Sequence, residues 1–468
     1  MTDGSNNLNE LIDDSCIGRF QVALVLLCGL LLMLDGFDTQ FIGYLAPAIV
    51  ADWKIDRAAL GPIFSAGLFG LMLGAFVFGP IADRYGRKPT ICACAAIFGV
   101  PTIAAAAAGS VHQLMLFRFL AGLGLGGAMP NAIALVAEYS PSRVRGRMLT
   151  ILICVFSLGA AVGGALAAWA IPAFGWRAVI VVAGGVAPLL LLPVLWRALP
   201  ESLRFLALRD ARHPRIGPTL GRFIPSSALA GADGPWTTSD TETSASPKLL
   251  CADRRAATTL LLWTGFFMNL IVLYFLANDL PTVLSADGVT LKNAVLATAL
   301  YQVGGIVGGI GVGYLIDRFC ASNVLGITLA LSVVFIVLIP NAHGDLLLVC
   351  IGTFGAGSCI VGGQVGANAL AGTIYPTSVR STGVGWALGM GRFGSVTGPL
   401  MVTALLAAHW SITRVFYASI VPALAAAFAF FLIGGAVRRR VGRLAWRVPA
   451  WRRQKAFRRR ASYCWART

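Results

Sequence analysis

Two carboxylates stand where a polypeptide tolerates them least. Asp35 and Asp38 lie in the stretch Leu31-Leu32-Met33-Leu34-Asp35-Gly36-Phe37-Asp38-Thr39-Gln40, inside an apolar run that starts near Phe20 and reaches Val50. A lone charge at the centre of a bilayer costs at least ~2.5–3.5 kcal/mol. Residues three apart share one face of a helix, and like charges that close raise each other's proton affinity. The chemistry this suggests is proton binding in an internal cavity. The alternative is a helix end with both side chains in water, against which the apolar sequence on both flanks argues.

Further charges sit in equally apolar surroundings. Arg118, Gly122 and Gly126 recur every four residues, so they share a helix face on which the glycines permit close helix contact. The competing reading is an Arg118 that snorkels to the interface from just beyond His112. Arg392 lies in Gly389-Met390-Gly391-Arg392-Phe393-Gly394, twelve residues past Arg380, or about 18 Å along a helix. A guanidinium that deep must meet a carboxylate, either of the protein or of a substrate, and the sequence leaves both roles open. Glu138 precedes Tyr139-Ser140-Pro141, with Arg143 and Arg145 within reach as partners in a structural gate. The four histidines lie far apart, the ten cysteines are scattered, and none makes a metal-ligand pattern, so neither metal nor cofactor is expected.

The elements that hold these residues follow from composition. The chain has 468 residues, 57% hydrophobic and only 12% charged, whereas a soluble domain carries about 25% charged residues. Apolar stretches long enough to cross a bilayer recur from Arg19 to Val437. About twelve spans are predicted, near 19–46, 57–82, 89–108, 112–139, 145–171, 175–197, 255–277, 292–316, 323–340, 346–374, 381–407 and 411–437. Met1 to Ser15 are polar and lead straight into the first span, with no cleavable signal peptide visible. Of the net charge of +17, the segment 438–468 supplies twelve Arg or Lys and no acid. Beside a membrane such a tail marks the cytoplasmic face and suits anionic lipid better than nucleic acid. The remaining Lys and Arg cluster in alternate loops, which places both termini in the cytoplasm.

An internal repeat divides the chain. Gly79-Pro80-Ile81-Ala82-Asp83-Arg84 is echoed by Gly313-Tyr314-Leu315-Ile316-Asp317-Arg318, and Tyr139-Ser140-Pro141-Ser142-Arg143 by Tyr375-Pro376-Thr377-Ser378-Val379-Arg380, at nearly one offset. The expected organisation is a cytoplasmic N-terminus (1–18), a six-helix half (19–197), a cytoplasmic linker (198–253), a second six-helix half (254–437) and a basic tail (438–468). Repeat-built transporters place substrate near the midplane between their halves.

The run Gly79-Pro80-Ile81-Ala82-Asp83-Arg84-Tyr85-Gly86-Arg87-Lys88 fills every defined position of G-x-x-x-D-R-x-G-R-K and resembles the loop signature of the major facilitator superfamily. The resemblance implies an all-α fold of twelve transmembrane helices in two halves. It also implies a conformational gate of Gly79, Asp83, Arg84, Gly86, Arg87 and Lys88, in which the acid latches the turn to the other half. Asp317 and Arg318 form its second copy, which reads Phe319-Cys320-Ala321 in place of Tyr85-Gly86-Arg87. The Arg118 segment and Pro200-Glu201-Ser202 resemble the same superfamily. Asp35-Gly36-Phe37-Asp38, Gly363-Gln364-Val365-Gly366-Ala367-Asn368 and the stretch from Tyr375-Pro376-Thr377 to Gly398-Pro399 together resemble the aromatic acid:proton symporters. What that implies is a monomeric inner-membrane carrier of a benzoate-like acid and protons, using Asp35, Asp38, Arg118 and Arg392, and not an enzyme. Asn278-Asp279 departs from that family, which usually has Trp before the Leu-Pro.

Overall fold

The computed structural model describes residues 6–15, 17–224, 235–237, 250, 255–286, 288–342, 344–375 and 380–446. In hydrocarbon a backbone satisfies its polar groups only within helices or closed barrels, and the long apolar runs are helices throughout. In chain order they are α1 (Leu8–Asp14), α2 (Arg19–Trp53), α3 (Leu60–Tyr85), α4 (Arg87–Ala106), α5 (Val111–Glu138), α6 (Ser142–Val179), α7 (Ala187–Ala198), α8 (Leu203–Arg209), α9 (Ile216–Leu220), α10 (Ala256–Ala286), α11 (Leu291–Arg318), α12 (Ala321–Leu338), α13 (Leu346–Ile374), α14 (Arg380–Ala407), α15 (Ile412–Ala418) and α16 (Ile420–Trp446). A π-helical stretch, Ile180–Val186, joins α6 to α7.

Among the described residues ten stretches are long and apolar enough to cross a membrane. One of them, Ser142–Ala198, has 57 residues and holds two of the spans expected from the sequence. They are separated by a kink at Gly175, whose φ of 76° is left-handed and so suits glycine. Helix α14 is also long enough to span, but glycines and Arg392 dilute its apolar character. With these two additions the count reaches the expected twelve.

The chain forms two compact units, Met1–Ile55 with Pro62–Glu242, and Asp56–Gly61 with Thr243–Thr468. In the first, α2 packs on α6 and α3 on α5. A Cβ on Gly36 would collide with the Phe156 carbonyl, one on Gly159 with that of Met33, and one on Gly122 with that of Gly67. The second unit repeats the scheme, with α10 on α14 and α11 on α13. There Gly394 lies against the Phe267 carbonyl and Gly304 against that of Phe354. The internal repeat seen in two loop motifs is therefore also a repeat of small-residue helix contacts.

The first unit carries an added cluster beside the α3–α4 turn. Leu8 and Ile12 of α1 bury against Leu203, Leu206, Ile216 and Leu220 of α8 and α9, and Phe20 stacks on Phe223 at 5.2 Å between ring centroids. Strand β1 (Asn6–Asn7) pairs in parallel with β2 (Trp236–Thr237). Most of the segment 215–250, and the basic tail beyond Trp446, lie outside the described residues.

Candidate functional site

Helix α2 brings Asp35 and Asp38 into the interior of the first unit, where they are 1% and 0% exposed. Asp38 accepts from Arg118 Nη1 at 3.1 Å (Oδ2) and 3.3 Å (Oδ1), and its backbone carbonyl accepts from Arg118 Nη2 at 3.1 Å. Asp35 Oδ1 accepts from the Thr39 hydroxyl at 3.1 Å, one turn along the same helix. Arg118 is 5% exposed, so it is a buried counter-ion and not a snorkelling surface residue. Two glycines make the room. Gly67 of α3 lies along the Arg118 side chain, and a Cβ on Gly184 would sit 3.4 Å from Asp38 Oδ1. Gly184 belongs to the π-helical stretch, a distortion often found at functional sites. Gly36, between the acids, is the contact point of α2 on α6.

The α3–α4 turn is a second cluster. Gly86 has φ 102° and ψ 156°, a conformation that favours glycine, and a Cβ there would lie 2.5 Å from Glu201 Oε2. Glu201 Oε1 accepts from the backbone N–H groups of Arg87 (2.7 Å) and Lys88 (3.2 Å), so its carboxylate caps the positive end of α4. Arg87 Nε meets Glu138 Oε1 at 2.7 Å, and the Ser202 hydroxyl donates to the other oxygen of Glu138. The expected pairing of Glu138 with Arg143 or Arg145 is thus corrected. The turn Tyr139-Ser140-Pro141 directs Arg143 to the carbonyls of Asp13 and Ser15 and Arg145 to that of Ser140, while α4 begins beside the end of α5. The Tyr139 hydroxyl donates to the Glu201 carbonyl at 2.6 Å; burial pushes this phenol well above its ordinary range, with Glu138 and Glu201 adding to the shift. Asp83 and Arg84 are exposed, and space around Gly79 is open. In the second copy Asp317 and Arg318 are exposed at the end of α11, with Arg318 over the Tyr314 ring at 4.3 Å.

In the second unit, Arg392 Nη1 donates to the Tyr274 hydroxyl at 3.2 Å. No carboxylate among the described residues pairs with it. An amide chain crosses the same unit: Asn269 Nδ2 donates to Gln364 Oε1 at 2.9 Å, and Gln364 Nε2 to Asn368 Oδ1 at 3.2 Å. The Arg380 side chain is outside what the structure describes.

The chain as a whole has counterparts among known proteins. The family model described as Major Facilitator Superfamily matches residues 28–319 and 262–465. This chain belongs to the Major Facilitator Superfamily. The transporter is 39% identical to a gallate transporter of Pseudomonas putida, over 93% of this chain and 96% of that protein. It is 39% identical to the 4-hydroxybenzoate transporter PcaK of Pseudomonas aeruginosa, over 92% and 96%. It is 33% identical to a benzoate transport protein of Acinetobacter baylyi, over 91% and 92%. The resemblance to aromatic acid carriers read from the sequence thus agrees with the names of its relatives. Among solved structures, the inward-open xylose transporter XylE from E. coli superposes with a TM-score of 0.68 at 16% identity, covering 88% of this chain and 95% of that one. That likeness concerns the fold alone.

Sequence reasoning left two groups of this multi-pass membrane transporter without a role. Glu201 stood only in a resembling Pro-Glu-Ser run, although an acid at the end of an apolar span beside a basic turn was its signal. Tyr274 gave none, because one hydroxyl in an apolar helix is unremarkable until Arg392 is placed against it.

Proposed function

We propose that this transporter takes up an aromatic carboxylate together with protons by alternating access. The observation that carries the reading is the sealed Asp38–Arg118 pair beside Asp35. An ion pair at 3.1 Å with both partners out of water is neutral as a unit. Asp38 is therefore the fixed counter-ion, and Asp35, bonded by the neutral hydroxyl of Thr39, is the coupling carboxyl. Arg392, held by an uncharged phenol rather than by a protein acid, is the group suited to attract the substrate carboxylate. The gallate, 4-hydroxybenzoate and benzoate carriers among its relatives support that substrate class.

In this reading Gly79, Asp83, Arg84, Gly86, Arg87, Lys88, Glu138 and Arg143 form the gate of the first half, and Asp317 and Arg318 that of the second. In the same reading the transporter sits in the inner membrane; the Lys and Arg distribution supports cytoplasmic termini, and the composition of the basic tail suits anionic lipid. The transporter works as a monomer.

The test is initial-rate uptake of labelled aromatic acids into proteoliposomes, with and without an imposed pH gradient. Uptake should be accelerated by an acidic exterior and inhibited by the free acid but not by its methyl ester. An ester that competes as well as the acid refutes the carboxylate requirement.

A further inference from the structure

Half of the buried polar side-chain atoms that lack a hydrogen-bond partner among the described residues fall between residues 278 and 301: Asn278 Oδ1, Asp279 Oδ2, Thr282 Oγ1, Ser285 Oγ and the Tyr301 hydroxyl. Buried polar groups in folded proteins are nearly always satisfied, so a concentration of exceptions marks a site with work to do. Asp279 is the exceptional member. It is 5% exposed, it lies in the membrane-crossing helix α10, and no hydrogen bond or ion pair reaches it from the described residues. The two acids of the first unit differ from it, since Asp38 is bound to Arg118 and Asp35 to Thr39.

The described charged and titratable groups on the elements packed around α10 in this unit do not neutralise it. Lys292 of α11 and Arg414 of α15 are exposed, and Arg392 of α14 donates to Tyr274. Tyr301 of α11, Tyr417 of α15 and Cys350 and Cys359 of α13 carry no positive charge. An ionised carboxylate without a cation or donor is strongly disfavoured in such surroundings, so the stable form is the neutral acid. Asp279, Thr282 and Ser285 follow at three-residue steps, the spacing of neighbours on a helix surface. They make a row of oxygens from the carboxyl to the C-terminal end of α10 at Ala286.

We propose that Asp279 is a second proton-binding site, in the second half of the transporter, reached through the Thr282–Ser285 row and separate from the first-half carboxylates. Water at the end of α10 gives up a proton, which bonds to a carboxylate oxygen of Asp279. When a conformational change rewets the group, the O–H bond breaks and the proton leaves to water on the other side. With one proton on the first half and one here, a substrate monoanion crosses with net charge +1.

Two measurements on the full-length protein test this. Infrared spectra of the purified transporter at neutral pH should contain a protonated-carboxyl carbonyl band, part of which is missing from Asp279→Asn. Identical bands overturn the proposal without reference to any substrate. The second measurement rests on the uptake reading above. In proteoliposomes with a 100 mV inside-negative potential and no pH gradient, the parent should accumulate aromatic acid about 50-fold, the ratio for one net charge. Asp279→Asn should not accumulate it by voltage, yet should retain accumulation driven by a pH gradient. A parent that ignores voltage, or a variant that still responds to it, overturns the proposal. A parent that moves no aromatic acid under either gradient fails the uptake reading instead, and the infrared result still stands.

Discussion

Removing the carboxylate charge of Asp38 is the sharpest perturbation of the first-half site. Its Oδ2 lies 3.1 Å from Arg118 Nη1, with side-chain exposures of 0% and 6%. Coulomb's law at that distance, with an effective dielectric constant of ~20, gives an attraction on the order of 5 kcal/mol. Asp38→Asn leaves the guanidinium buried and uncompensated, a change that costs about 3–5 kcal/mol. Against a total stability of about 5–15 kcal/mol, that is a large fraction. Arg118→Gln should cost a similar amount, because it strands the carboxylate. The double variant should recover much of the loss, since it removes both charges. A double-mutant cycle in denaturant-induced unfolding of the purified protein should give a coupling energy of about 2–3 kcal/mol. If the two losses simply add, the pair is not coupled, and the assignment of Asp38 as the fixed counter-ion is wrong.

Three further outcomes follow from the same geometry. At zero membrane potential Asp35→Asn should cut the accumulation held by one pH unit from about 100-fold to about 10-fold, the change from two coupled protons to one, while sparing substrate exchange, which requires no net proton release; accumulation equal to the parent's would remove Asp35 from the coupling step. Asp83→Asn should leave the protein folded and inserted, because the side chain is exposed, but slow maximal uptake severely; unchanged uptake would rule out a gating role. Glu201→Ala should lower stability by about 1–2 kcal/mol, the usual worth of a helix cap. Glu201→Gln should lower it less, as an amide oxygen still accepts from the Arg87 and Lys88 N–H groups; equal loss in both variants would mean that capping is not what Glu201 does.

Much of this protein was decided by local sequence. Hydrocarbon allows only helices or closed barrels, and continuous apolar runs of about twenty residues or more suit helices and not barrel strands, so apolar length set the spans and made the lone acids and arginines conspicuous. The Gly86 turn was equally legible, because its backbone conformation depends on residues adjacent in the chain. Tertiary structure decided the pairings. Asp35 and Asp38 look equivalent by spacing, yet packing α5 near α2 set Arg118 against the Asp38 carboxylate, while Asp35 accepts from Thr39 of its own helix. Glu138 had basic neighbours at Arg143 and Arg145, but the α4 terminus arrived closer and Arg87 took it. Glu201 became a cap only because α7 returns beside the turn that starts α4. A side chain's partner depends on which helices meet and at what height, and those contacts join residues tens of positions apart that no local pattern encodes.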